Sequence, residues 1–403
     1  MPYGDKKLKK RIYPLVLIAL LSMAAIVPAV FADAALTNER FRATGNYDIV
    51  AAGVGLQDVT DGEIDLNIPD SGTSVVIAAY LYWSGYNPNT GGDNEVYFQG
   101  ALTPAPVLDT FGPDLWYADY YCYVFVADVT SDIQLGDHTY TIEGVEFERN
   151  FGAGIIVVYE SEDLPLAEVT ILDGLDNFWF GWPDPRGPNS EVTAFTFDDS
   201  IYSRNSELVL FAGATEHDVR PNEIWTQTGT APAPLPTEDL IPSPSPSTAD
   251  GNYPLVGSDG HSWDTYIADV TIPAGDEWLA LQVESLNTGA VGADPPHDGR
   301  GSSGVLIAGG FVLPIPTLDG LSPGFWKHNI AVYLGENPGR YSVPHDGEPR
   351  ITDAILEGYF YTIGVTGVDA YAALTANGKG NNIIRLGMAN LFNAAAGYTP
   401  YSD

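Results

Sequence analysis

The sequence predicts a mainly β chain: two antiparallel β-sandwich (jelly-roll-like) lobes followed by a small, mostly α-helical C-terminal module. Three observations carry this. From about residue 44 to 317, short segments rich in Val, Ile, Tyr, Phe and Thr alternate with Gly, Asn, Asp and Pro turns. The 43 glycines and 30 prolines match many short strands joined by tight connections. Beyond Pro314–Thr317 the apolar spacing changes to the three-and-four rhythm of helices.

The N-terminus comes first. Lys6, Lys7, Lys9, Lys10 and Arg11 precede an apolar run, Tyr13 to Val27, and small residues follow. The run is shorter than the ~20 residues of a spanning helix, so residues 1–34 read as a signal peptide, cut after Ala32 or Ala34. An uncleaved anchor would leave the same topology. Either way the body of the chain is expected outside the cytoplasm, extracellular or at the cell surface. No stable membrane span is expected after cleavage.

Strands are expected at Ser74–Trp83, Glu95–Phe98, Tyr120–Val129, Asp137–Glu143, Gly154–Glu160, Glu191–Phe197, Glu207–Gly213, Trp263–Ile272, Glu277–Glu284 and Val305–Leu313. They divide into a first lobe, 35–187, and a second, 188–317. Val126-Ala127-Asp128-Val129-Thr130 and Ile267-Ala268-Asp269-Val270-Thr271 recur with a Gly-Asp turn after each, which fits either two related lobes or chance in turn-rich sequence. The Pro/Ser/Ala-rich stretch 229–254 is expected to loop out of the second lobe without a core of its own. Residues 318–403 form the helical module. Helices are expected at 351–376 and 380–396, with Thr352 capping the first.

Charge and cysteine content exclude several classes. Asp and Glu number 53 against 17 Lys and Arg, a net charge of −36. A nucleic-acid partner needs clustered cations, so none is expected. The region 35–317 contains no lysine, which rules out Lys–Asn isopeptide crosslinks within it. Self-repulsion on this scale favours solubility and suits screening by salt or divalent cations. The single cysteine, Cys122, excludes a disulfide framework and a multi-cysteine metal site. Its place among strand tyrosines reads as a small buried hydrophobe.

Two resemblances follow from motifs. Val126–Ser131, Gly136–Thr141, Gly152–Glu160 and Leu172-Asp173-Gly174-Leu175, with the earlier Ala78–Gly85 strand, resemble a secreted domain of archaeal and bacterial adhesin-like surface proteins, whose biochemical function is unassigned. The resemblance covers roughly 45–315. Ser322-Pro323-Gly324-Phe325-Trp326-Lys327-His328-Asn329 and the tail from Leu391 to Tyr398 look like a Gly-Phe-Trp-Lys-His type module of secreted proteins. Neither resemblance implies an established activity.

Candidate chemistry is sparse. Calcium takes hard oxygen ligands from Asp/Gly-rich loops, so Asp259 and Asp264, Asp294 and Asp298, and the stretch Asp58–Asp65 are candidates. The six histidines are scattered, and His328 reads as part of a turn opening the helical module, with Phe325 and Trp326 as core anchors. Glu162-Asp163, Asp173/Asp176 and Asp198-Asp199 could form a glycosidase pair, but such pairs are expected by chance in an acidic chain. No Gly-x-Ser-x-Gly, His-Glu-x-x-His or P-loop occurs. Tyr80, Tyr82, Trp83 and Tyr86, and Phe178, Trp179, Phe180 and Trp182, are either core or a sugar-stacking face. The expectation is a structural or adhesive protein (surface layer, filament or binding module) without catalysis. Its partners would be other surface proteins, copies of itself or glycans. The alternative is an extracellular carbohydrate-binding or carbohydrate-active protein.

Overall fold

A computed structural model describes residues 34–88, 91–112, 120–182, 188–200, 202–215, 220–240, 248–250, 253–285, 301–316, 323–336, 340–341, 344, 351–375 and 382–395. The expected leader, up to residue 33, lies outside them. The chain divides into two compact units, with the boundary in sequence between Leu313 and Pro314. Among the described residues, no helix is long and apolar enough to cross a membrane.

Among the described residues, the first unit contains four antiparallel sheets. Outer sheet I has the order β3 (Gly62–Ile68), β9 (Gly136–Glu143), β5 (Glu95–Phe98), β6 (Ala101–Pro104). Inner sheet II runs β2 (Tyr47–Gly55), β10 (Arg149–Glu160), β4 (Val75–Asn87), β8 (Tyr121–Asp128), β7 (Val107–Phe111). Inner sheet III runs β1 (Ala34–Gly45), β11 (Ala167–Trp179), β18 (Ser303–Pro314), β13 (Arg204–Gly213), β16 (Trp263–Ile272). Outer sheet IV runs β12 (Thr193–Thr196), β17 (Trp278–Ser285), β14 (Asn222–Gly229), β15 (Thr248–Asp250).

These orders contain an internal duplication. The inner order β2-β10-β4-β8 becomes β11-β18-β13-β16, and the outer order β3-β9-β5-β6 becomes β12-β17-β14-β15. Each half has the eight strands in two sheets of a jelly roll. The recurring Asp-Val-Thr lies at the end of β8, where Asp128 is the last strand residue, and within the equivalent strand β16. The rolls divide between β10 and β11, not between 187 and 188, because β11 is the opening strand of the second roll. The N-terminal β1 also joins the second roll, lying antiparallel to β11 with Ala34 opposite Leu175 and Gly45 opposite Ala167.

Side-chain alternation builds three apolar layers. On outer strand β3, Ile64, Leu66 and Ile68 are buried and Glu63, Asp65 and Asn67 are exposed. Inner strands bury both faces. On β4, Ala79, Leu81 and Trp83 join the core between sheets I and II, while Ala78, Tyr82 and Tyr86 join the core between sheets II and III. On β13, Val209 and Phe211 meet that central core, and Leu208, Leu210 and Ala212 face sheet IV. The aromatic cluster on β4 is therefore mainly core. Trp83 stacks on Phe125 with ring centroids 5.6 Å apart, and Tyr82 meets Phe211 edge-on at 6.0 Å.

Trp263 joins the two rolls. It is fully buried at the start of β16, over glycines of sheet II. A Cβ placed on Gly53 would lie 2.2 Å from Trp263 Nε1, and one on Gly154 would lie 3.0 Å from its ring and 2.7 Å from Phe211. Only hydrogen at these positions lets the indole reach the backbone. A second link is polar. Asp173, fully buried on β11, accepts hydrogen bonds from Asn38 Nδ2 (2.5 Å), Arg40 Nε (2.6 Å) and Tyr82 Oη (3.0 Å). It thereby ties β1 and β11 to β4 in the opposing sheet.

The described part of the Pro-rich stretch does not stand away from the body. Leu240 is buried with Val192, Trp278 and Ala280, and Ala233 packs beside them. Leu240 N–H donates to Gln282 Oε1 (2.9 Å), and Pro236 O accepts from Val192 N–H (3.0 Å). The segment covers sheet IV because that face carries Trp278 and half-buried Trp225.

The second unit has helices α1 (Pro323–Tyr333), α2 (Asp353–Ile363), α3 (Gly367–Thr375) and α4 (Asn382–Ala395). Gly-Phe-Trp-Lys lies inside α1 rather than in a turn. Buried Trp326 stacks on Phe392 at 5.1 Å and donates to Asn393 Oδ1 (2.8 Å), anchoring the core. Thr352 caps α2 by accepting from Ile355 N–H (3.3 Å). The single helix expected over 351–376 is two helices, because Gly364 turns left-handed (φ 69°) and Thr366 caps α3 through Asp369 N–H.

Two predictions follow from the interlock. Gly53→Ala is expected to cost about 1–3 kcal/mol through overpacking, and Trp263→Ala about 3–5 kcal/mol, both read from urea unfolding. Arg40→Ala should cost about 3 kcal/mol by leaving Asp173 buried without its cation, and adding Asp173→Asn should recover part of that loss. A loss in the double variant equal to the sum of the two single-variant losses would show that the pair is not coupled.

Candidate functional site

One end of the first unit collects the C-terminal ends of β2, β4, β11 and β13 and the N-terminal ends of β8, β10, β16 and β18. There the two rolls form a cleft of about 500 Å³. The first roll supplies Gln57, Asp58 and Thr60 from the β2–β3 connection and Glu148 to Phe151 from the start of β10. The second supplies Ala214, His261 and Ser262.

Each wall is fixed by named bonds. Asn150 Nδ2 donates to Val59 O (2.6 Å) and Val145 O (2.7 Å), and its Oδ1 accepts from Phe147 N–H (2.9 Å), clamping two loops of the first roll together. Gly55 N–H donates to Asp259 O (2.8 Å), and Ser262 Oγ donates to Gln57 Oε1 (2.5 Å), so both bonds cross between rolls. Glu148 Oε1 accepts from Tyr120 Oη (2.5 Å). Tyr86 meets Phe151 edge-on at 4.9 Å and closes the floor. Glu148, Arg149 and His261 are exposed at the rim.

The backbone here is unusual. Asp58 (φ 65°), Ala214 (φ 57°) and Ser262 (φ 80°) line the cleft and are left-handed without being glycine. Such strain persists where surrounding bonds over-determine the loop, and it concentrates at binding sites. The cleft offers carboxylate, amide, guanidinium, imidazole and hydroxyl groups side by side. That mixture suits a ligand with both donors and acceptors.

The predicted calcium residues lie elsewhere or in other roles. Asp264 is buried and holds its own loop: Oδ2 accepts from Gly257 N–H and Oδ1 from Ser258 N–H, both at 2.7 Å. Asp259 is half-buried. Its Oδ2 and Trp263 Nε1 both border Gly53, and neither makes a hydrogen bond among the described residues. Asp294 and Asp298 lie outside the described residues. In Asp58–Asp65, Asp61 accepts from Gly144 N–H (2.9 Å) and Asp65 from Thr139 Oγ1 (2.6 Å). Among the described residues, no three His, Cys, Asp or Glu side chains converge to hold a metal.

The other candidates separate as well. Asp173 and Asp176 are both fully buried on β11, while Glu162, Asp163, Asp198 and Asp199 are exposed away from the cleft. Phe178 is core. Trp179, Phe180 and Trp182 are half-buried, and Trp182 stacks on Phe111 at 5.4 Å. Of the cleft residues, the sequence singled out those in the Asp58–Asp65 stretch, as a calcium candidate and not as one wall of a shared opening; Gln57, Arg149, Ala214 and Ser262 meet it only through the pairing of two rolls.

Burial raises the carboxyl groups of Asp48, Asp93, Asp109, Glu207, Asp259 and Glu284 above the ordinary range. A raised native value means that the folded chain holds these protons more tightly than the unfolded chain. Stability from this source is full at acid pH and is lost as pH rises through the native values. The thermal midpoint is therefore expected to be higher at about pH 5 than at about pH 7.5 at constant ionic strength. The opposite order in a calorimetric scan would mean that paired carboxylates dominate.

No family model and no curated protein matches this chain. Among solved structures, it is similar to the crystal structure of the major capsid protein P2 from Bacteriophage PM2, at 9% identity. The match covers 66% of this chain and 98% of that chain, with a TM-score of 0.17.

Proposed function

We propose that the chain is an exported structural and adhesive protein of the cell surface or extracellular matrix, with its acidic exterior bridged by calcium or similar cations. The observation that carries this reading is the interlocked stack of four sheets. Most of the chain is committed to three dry apolar layers, and the polar cleft is confined to one loop end. The net charge of −36 supports cation bridging between copies or to other surface proteins. The basic, apolar start of the chain and the resemblance of 45–315 to secreted adhesin-like domains support export.

The test uses the full exported chain, followed by light scattering and by adherence to cells of the producing organism, with added Ca²⁺ or with a chelator. Larger assemblies or adherence that the chelator reverses are expected. A protein that stays monomeric and adheres to nothing under both conditions would overturn the proposal.

A further inference from the structure

We infer that the cleft between the two rolls binds an uncharged saccharide unit. This rests on the adhesive reading above and adds the ligand class to it. Charge comes first. Asp58 and Glu148 face the same opening as Arg149, so a phosphate or polyanionic ligand meets two carboxylates for one guanidinium. A bare divalent cation meets that guanidinium and the Gln57 amide instead of the six to eight oxygens it requires.

Hydrogen bonding narrows the choice further. The Gln57 carbonyl is held by Ser262 Oγ, which leaves the two amide N–H donors of Gln57 for a ligand. Asp58 is exposed, and its carboxylate accepts no hydrogen bond among the described residues, so it is an acceptor at the same wall. An apolar molecule would desolvate these groups without replacing their partners. A sugar ring places hydroxyls that donate and accept at neighbouring carbons, which pairs one with Asp58 and the next with Gln57. The edge-on Tyr86–Phe151 floor receives the apolar face of the ring. The volume of about 500 Å³ lies within the ~300–1,000 Å³ of small-molecule sites. Preorganisation supports binding, since the two bonds between rolls and the three left-handed residues hold these groups before a ligand arrives.

The experiment is saturation-transfer NMR on the full exported chain. The probes are methyl glycosides of glucose, galactose, mannose and N-acetylglucosamine, with glucuronate and inorganic phosphate as charged comparisons. At least one neutral glycoside should receive saturation and bind more tightly than either anion. Gln57→Ala and Asp58→Asn should each weaken that binding about tenfold, the effect of one lost hydrogen bond to an amide or carboxylate. Asparagine tolerates the left-handed backbone at position 58, and an unchanged melting transition reports an intact fold. Absence of transfer from every neutral glycoside would overturn the inference, as would tighter binding of an anion or full binding in both variants. If the glycosides fail while the chain still assembles or adheres, the saccharide assignment falls and the adhesive reading stands. If both fail, both fall.

Discussion

A sheet that already covers an apolar core on one face has a second face to dispose of, and here both inner sheets bring that second face to each other. Trp263 sets how closely they meet. Its indole lies against sheet II where Gly53 and Gly154 leave room, so the spacing of the rolls follows from the absence of two side chains. Because Trp263 opens β16, the loop before it is drawn over the end of β2. Gly55 N–H then reaches Asp259 O, and Ser262 reaches Gln57. The cleft is thus a by-product of the interlock: the contact that stabilises the stack also brings two loops from different rolls to one opening.

Much of this was legible before any coordinates. Outer strands such as β3 alternate apolar and polar residues, and inner strands such as β4 and β10 run apolar almost without interruption. Both patterns read as strands, and the Asp-Val-Thr pair marked the duplication. The layering was not readable, because a continuous apolar run does not say which sheet covers its second face. Strand β11 was hidden by Asp173, Asp176 and Asn177, polar groups buried within it, and the partners of Asp173 lie 91 to 135 residues away in sequence. That placed the division between lobes too late in the chain. The Pro-rich segment looked solvent-facing because Leu235, Leu240 and Ile241 are scattered among prolines and polar residues, and the site of Leu240 on sheet IV exists only after folding. In the helical unit, periodicity located the helices and Thr352 located a cap. The break at Gly364 depends on one left-handed residue inside an otherwise regular pattern.

The acidic composition takes two forms in the fold. Most carboxylates are spread over the exterior, where water and salt screen them. A few are buried, and their solutions differ. Asp173 is satisfied by an amide, a guanidinium and a phenol, and Asp264 by two backbone amides. Asp48 and Glu207 lie on β2 and β13 of opposing sheets, where burial and mutual repulsion both favour the protonated acid on Glu207.

The position of β1 has a mechanical meaning. It runs from the loop end toward the opposite end, antiparallel to β11, and β18 runs the same way on the other side of β11. Tension applied at Ala34 and at Pro314 would pull these flanking strands in opposite directions along their own axes. The ladders of sheet III would then bear the load in shear, many bonds at once, instead of unzipping from one end. The first roll, inserted between β1 and β11, would hang outside that line of force and keep its shape while its neighbour is stretched.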